Sequence, residues 1–316
     1  MLTDKKFKII PIYVLLIAAG YQECLAQTNN DAIMMNKHQF CNGISYAYST
    51  WTSYWEGTLK RTNENLGRVT TQELMYMPNY GITDNLNVMA AVPYVWTHAS
   101  AGTLHGLSGF QDFSIDVKWR PLKTDLGPGK FSLFLVGGLS TPITNYVIDF
   151  LPMSIGLGST NLLGRAIVHY QIGKFFVRGS GAYIWRSNVK LDRTAYFTTE
   201  QHNTNEVEMP DLAVFNGSLG YHYKYIIAEA MVDNNTTLGG FDMRRNDGPF
   251  PSNRMNSTAI TAHVKYTFPF YTHVSIDAVG SQVVGGRNVG QATSFMIGAY
   301  YVFSFKSGQN SSSQKK

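Results

Sequence analysis

The stretch FQDFSIDVKWR, residues 110–120, decides the fold class. In an extended chain Phe113, Ile115, Val117 and Trp119 fall on one side, while Ser114, Asp116, Lys118 and Arg120 fall on the other. One such strand has an oily face and a charged face. Similar runs of about ten residues recur through the chain. They read as twelve strands near residues 42–55, 68–80, 86–97, 109–120, 130–140, 160–171, 175–187, 210–223, 225–234, 256–268, 272–283 and 293–305. A soluble sandwich with one wet face does not require every strand to segregate its charges in this way. A barrel with hydrocarbon outside and water inside does.

The joints between these strands alternate in length. Tight ones fall at Gly81-Ile-Thr-Asp-Asn85, Leu122–Gly129, Ile172-Gly173-Lys174, Tyr223-Lys224-Tyr225 and Pro269–Tyr271, and long ones near 56–67, 98–108, 141–159, 188–209, 235–255 and 284–292. Short turns on one rim, long loops on the other, an even strand number and both termini on the short side form the outer-membrane pattern. The expected architecture is therefore an all-β transmembrane antiparallel barrel of about twelve strands, with short periplasmic turns and long extracellular loops.

The ends of the chain agree with export. Lys5, Lys6 and Lys8 precede an apolar run over 9–19 that is too short to span a bilayer, and Cys24-Leu-Ala26 offers small residues for cleavage after Ala26. Lipidation at Cys24 is the competing reading, disfavoured by the large, polar Tyr21-Gln-Glu23 before it. Residues 1–26 are thus expected to be a signal peptide, 27–41 a short periplasmic segment, 42–305 the barrel, and 306–316 a polar disordered tail. Cys41 would then remain alone and could make no internal disulfide.

Of the formal charge of +5, all but +1 lies in residues 1–26 and in the tail from Lys306, so the body has no concentrated basic stripe for nucleic acid. Aromatic residues make up 13% of the chain, and many fall near strand ends, where interfacial girdles need them. The last strand places Phe295, Ile297, Ala299, Tyr301, Phe303 and Phe305 on one parity, resembling the signal read by the outer-membrane assembly machinery.

Parity also assigns the faces. Leu86, Val88, Ala90, Val92, Tyr94 and Trp96, and likewise Ile260, Ala262, Val264, Tyr266 and Phe268, are expected to meet lipid. The opposite parities supply a pore lining of Asn87, Asp116, Lys118, Arg120, Arg165, His169, Arg178, Glu229, Asp233, His263, Lys265 and Asp277. These charges could form a selectivity ladder for a small polar or anionic solute, or pair across the interior and plug it. The lead-in before the first strand is too short for a large hatch, so closure would fall to side chains or folded-in loops.

The stretch Tyr80–Trp96, YGITDNLNVMAAVPYVW, with Gly109-Phe110-Gln-Asp-Phe113 and IDVKWRPL ending at Leu122, resembles a family of Gram-negative outer-membrane proteins assigned to transport in the phenol meta-cleavage pathway. Members share a YGITD turn, a strand ending in PYV and a GxxD-type strand ending in a basic-aromatic-basic stretch. The resemblance implies an outer-membrane channel for aromatic or other hydrophobic small molecules.

Enzymatic chemistry has one candidate pair. A turn centred near Phe270 would set Asp277 opposite His263 on the inward face, within reach for acid–base work in a membrane hydrolase. Neither residue sits in a nucleophile context, so no catalytic residue is assigned. His98 with His105, and Asp233 with Asp242 and Asp247, do not match a ligand spacing, and Gly239-Gly240 and Gly285-Gly286 read as turn glycines, so no metal or cofactor is expected. The expected partners are outer-membrane lipid, the assembly machinery and a small-molecule solute. The reading is a passive channel, with a closed barrel that binds partners through its loops as the alternative.

Overall fold

The computed structural model of the chain describes residues 28–244 and 248–305; the expected signal segment, its alternative anchor Cys24 and the expected tail lie outside them. Twelve antiparallel strands close into a barrel. They are β1 (Gln39–Trp51), β2 (Val69–Thr83), β3 (Leu86–Ala99), β4 (Asp112–Leu126), β5 (Gly129–Pro142), β6 (Asn161–Ile172), β7 (Phe175–Arg186), β8 (Leu212–Tyr223), β9 (Ile226–Thr237), β10 (Asn256–Phe268), β11 (Tyr271–Arg287) and β12 (Thr293–Ser304). Each pairs with its neighbours in sequence, and β1 closes the ring by pairing with β12 from Gln39↔Ser304 to Thr50↔Thr293.

Tight turns lie at Asp84-Asn85, Gly127-Pro128, Gly173-Lys174, Lys224-Tyr225 and Pro269-Phe270, all on the rim where β1 begins and β12 ends. Gly127 and Gly173 both have φ of 57°, the left-handed geometry such turns demand. The expected joint at 122–129 is shorter than the sequence pattern suggests, because β4 runs on to Leu126. Trp119 pairs with Leu135 and Leu122 with Leu133, which leaves Arg120 and Pro121 as a bulge. Proline gives the ladder no N–H and the bulge flips the alternation, so the pattern breaks while the strand continues. β1 ends at Trp51, not near residue 55. Tyr54 and Trp55 belong to a separate hairpin, Ser53–Glu56 with Leu59–Thr62, which explains aromatics on both parities.

The faces follow the alternation. Trp96, Ile115, Val117, Trp119, Ile260 and Val264 project outward and exposed, while Asn87, Asp116, Lys118 and Lys265 are buried inside. Outward polar groups are satisfied locally: the Tyr76 hydroxyl donates to Asn42 at 2.7 Å and the Tyr46 hydroxyl to Gln72 at 2.8 Å. Five aromatics at the closure seam (Phe40, Phe303, Phe305, Tyr80 and Tyr301) form a chain of ring contacts 5.2–6.3 Å apart on the turn-side rim.

The long loops are more ordered than a lack of periodicity implies. Small ladders pair Val189–Lys190 with Glu206–Val207 and Tyr196–Phe197 with Gln201–His202. Ile148, Val189, Leu191, Tyr196, Val207 and Met209 bury a separate apolar core among the loops. A second tie runs through Asn288, whose amide bonds Asp242 and the Arg254 carbonyl while its Oδ1 accepts from Gly57 and Met243.

The Arg287 guanidinium donates to Asp242 at 2.7 Å and, with Asn288, holds that carboxyl down at about 2 despite some opposing desolvation. A carboxyl depressed on folding contributes stability above its unfolded value of about 4, and this is lost as pH falls through the folded value. Limited pepsin digestion of the 238–255 loop should therefore accelerate as pH drops from about 4 to 2 in the native chain. The same scan on Asp242→Asn should show fast cleavage throughout.

Residues 28–38, within the stretch read from sequence as a periplasmic lead-in, are seated inside the barrel. The His38 amide donates to the Gly81 carbonyl at 2.8 Å and the Lys37 amide to Asp84 at 2.8 Å, turning the chain inward at the rim. Ala32 and Met34 then pack, as Leu163 does, against the cluster of Phe134, Val136 and Ile167 on the inner wall. Met35 joins Cys41, Tyr300 and Val302. The inner wall is apolar along these inward positions of β5, β6 and β12, so a short apolar segment finds more contact there than in water. Gly81 of the YGITD turn makes this passage possible, because a Cβ on it would lie 2.1 Å from the Asn36 carbonyl oxygen. Gly81→Ala should displace the segment and cost about 1–3 kcal/mol, the usual penalty for overpacking, read as a lower unfolding midpoint in micelles.

Candidate functional site: the barrel lumen

The charged side chains Asp116, Lys118, Arg165, Arg178, Glu229, Asp233, His263, Lys265 and Asp277 of the barrel strands take the inward parity, and the interior sorts several of them into pairs. On β4, Lys118 is fully buried and donates to Asp31 at 2.7 Å and to the Thr28 carbonyl at 2.7 Å. One turn of the pleat away, Asp116 accepts from Asn29 at 3.3 Å. From β7, the Ser180 hydroxyl donates to Asn30 at 2.7 Å. Residues 28–31 are thus held at mid-barrel from both sides.

A second network crosses β7 to β12. Arg178 meets Glu229 at 2.8 Å, Glu229 meets His263 Nδ1 at 2.9 Å, and His263 Nε2 lies 3.4 Å from Asp277, which accepts from the Tyr300 hydroxyl at 3.0 Å. Arg178 reaches from β7 to β9 because the β8 residues between them are Ser218 and Gly220. Tyr300 lies flat along the wall over Gly43 and Gly298, where a Cβ would come within 2.8 Å of its ring or hydroxyl. Lys265 stands 5.3 Å from the Tyr300 ring centroid.

The expected opposition of His263 and Asp277 is shifted. A bulge after Phe268↔Tyr271 moves the ladder so that Lys265 pairs with Asp277 and His263 with Val279; the direct partner of His263 is Glu229 on β9. His263 touches Asp277 only on the diagonal. Both its ring nitrogens face carboxylates, so neither is placed to accept a proton from a nucleophile.

The remaining predicted lining residues divide by height. Asp233 accepts from Asn216 at 2.6 Å and Thr261 at 2.8 Å toward the loop side, and Arg165 lines a chamber there. His169 sits toward the turn side, its ring 5.1 Å from Phe176. Arg120 is not in the ladder: it bonds Asn85 and the Asp84 carbonyl at the turn rim. Sequence reasoning missed Asp31, the partner of Lys118, because no strand pattern places a lead-in segment. It also missed Glu73, His222 and Arg186, whose inward parities were available.

The seated segment divides the lumen. On the turn side is a cavity of about 400 Å3 bounded by Asp84, Arg120 and Gln171 at the rim and by Phe176, Arg178, Met231, Val279 and Met296 deeper in. On the loop side is one of about 200 Å3 bounded by Asn29, Asp116, Asn161, Arg165 and Arg186. Among the described residues no group of three or more His, Cys, Asp or Glu side chains is placed to hold a metal ion.

No family model matches the chain, and no curated protein matches it. Among solved structures, an outer membrane channel from Pseudomonas putida F1 is similar over 88% of this chain and 100% of that chain, with a TM-score of 0.69 at 15% identity. NanC porin covers 82% of this chain and 98% of its own, with a TM-score of 0.45 at 9% identity. KdgM porin covers 83% and 99%, with a TM-score of 0.41 at 10% identity. The first likeness shows the fold, that of an outer-membrane β-barrel.

Proposed function

We propose that the chain is a channel of a Gram-negative outer membrane for passive diffusion of small molecules, exported with residues 1–26 removed and inserted by the outer-membrane assembly machinery. The observation that carries this reading is the run of charged side chains along the inner face of β7 to β11, bordering a cavity that reaches the turn rim, which suits a lumen that water and solute enter. Residues 28–36 border both chambers, held by the Lys118–Asp31 pair, neutral hydrogen bonds and the packing of Ala32 and Met34. The similarity to an outer membrane channel supports the same reading. The finer reading, that the solutes are aromatic or other hydrophobic compounds, rests on the YGITD–PYV resemblance and on the apolar side chains of the turn-side cavity. An enzymatic role has less support, since His263 is engaged by two carboxylates.

A specific observation favours a second reading. The loops share their own apolar core and the lumen is interrupted by a fully buried Lys118, as suits a closed barrel that binds partners through its outer surface. Planar-bilayer recording separates the two. Small, discrete conductance steps from the purified full chain support the channel. Silent bilayers, with protein that shows heat-modifiable mobility on gels, support the closed barrel.

A further inference from the structure

Buried polar atoms without partners are rare enough that each calls for an explanation. Two of them, Arg178 Nε and His169 Nδ1, belong to residues directly opposite each other on β7 and β6. Both residues border the turn-side cavity. Arg178 is only 5% exposed, and its Nη2 is committed to Glu229. A guanidinium Nε is always a donor, so what this spot lacks is an acceptor.

The surroundings narrow the identity of that acceptor. Phe176, Ile227, Met231, Val279 and Met296 give the cavity a mainly apolar wall, and its 400 Å3 lies in the range of small-molecule sites. The carboxylates near it are each paired: Asp31 with Lys118, Glu229 with Arg178 and His263, and Asp277, through Oδ2 alone, with His263 and Tyr300, its Oδ1 having no partner. An incoming anion therefore meets neutralised pairs and a guanidinium edge with no acceptor. The entrance bears Arg120 and Lys123 against Asp84, which favours a negative solute.

We infer that the turn-side cavity is a binding site for a small monocarboxylate with an apolar body, its carboxylate taken by the Nε–H of Arg178 and its body lying along Phe176 and Met231. The site rests on the channel reading for its biological sense, since it would be the solute's station below the seated segment. Seating the carboxylate requires a small rotation of Arg178 toward the cavity. Nη2 stays with Glu229 at 2.8 Å and lies 3.5 Å from Met231 Sδ, so the carboxylate takes one charge-assisted hydrogen bond, from Nε.

Calorimetry on the full chain in nonionic micelles, with a protein-free micelle blank, tests this using hexanoate against hexan-1-ol. Saturable binding of hexanoate is expected, at least about tenfold tighter than hexan-1-ol, the worth of a charge-assisted hydrogen bond. Arg178→Met should weaken hexanoate about tenfold or more and leave hexan-1-ol unchanged. Should that variant fail to fold with Glu229 orphaned, Arg178→Lys keeps a cation opposite Glu229, removes the Nε donor, and should lower the preference for hexanoate severalfold. Equal binding of acid and alcohol, no saturable binding of hexanoate, or full acid preference in folded Arg178→Lys overturns the site. Conductance without hexanoate binding would sink this inference alone, whereas binding in a protein that never conducts would sink the channel and leave the site standing.

Discussion

Lys118→Met should open the barrel. The Lys118 ammonium has no access to water and its charge is matched by Asp31 alone among the acids it bonds, so removing it strands a buried carboxylate. Breaking one side of a buried pair costs about 3–5 kcal/mol, since the surviving charge keeps its desolvation penalty and loses its partner. The rest of the segment's hold is modest: a few neutral hydrogen bonds, each worth about 1 kcal/mol net, and the contacts of Ala32 and Met34. The least costly response is for residues 28–34 to leave the lumen and hydrate Asp31. Against a loss of about 3–5 kcal/mol, the seated population should fall by a factor of at least 100. Single-channel conductance should rise severalfold, and the segment should become cleavable by added protease. The double variant Lys118→Met with Asp31→Leu should restore low conductance, because an apolar pair in place of a buried ion pair is often neutral or stabilising. Wild-type conductance in Lys118→Met would show that the segment is not the obstruction.

This lock also explains how the interior is divided between apolar and ionic side chains. Phe134, Val136 and Ile167 on one wall receive the segment, and the Arg178–Glu229–His263–Asp277 chain lines the opposite wall. Apolar wall and seated segment cover hydrocarbon that would otherwise meet water, while the ionic chain borders the turn-side cavity.

The barrel was legible in the sequence because strand parity is a local signal. Each alternating run such as Phe113–Arg120 states its own two faces, and a bilayer enforces that statement on every strand. What the sequence left open lies where the ladder departs from regularity. The bulge at Arg120-Pro121 and the one past Phe268 each displace register without changing composition. This is why Arg120 moved to the rim and Lys265, not His263, faces Asp277 across the ladder. The inward path of residues 28–38 left no periodic trace either. Its one mark was Gly81, a small residue in a conspicuous turn, whose meaning appears only once the Asn36 carbonyl lies against it. The choice between a selectivity ladder and a set of cross-lumen pairs depended on side-chain reach over Ser218 and Gly220, which is a property of three strands together.

Val264→Lys should be the most damaging single change on the outer wall. Val264 is 49% exposed and points away from the lumen near the middle of β10, between the outward Ala228 of β9 and Ala278 of β11. Ile44, Tyr46, Ile276 and Ile297 surround the adjoining outer groove, and Asp277, which borders it, turns its carboxylate into the lumen to Tyr300 and His263. At bilayer mid-depth a lysine costs about 2–4 kcal/mol, reduced by whatever its stem gains in reaching toward the interface. The variant should fold into phospholipid vesicles with a correspondingly lower urea midpoint, whereas Val264→Leu should match the native chain. The direction of the effect matters more than its size. On a water-facing sheet an exposed valine exchanged for lysine costs a few tenths of a kcal/mol at most, so a lysine tolerated at this position would mean that water, not hydrocarbon, meets the outer wall.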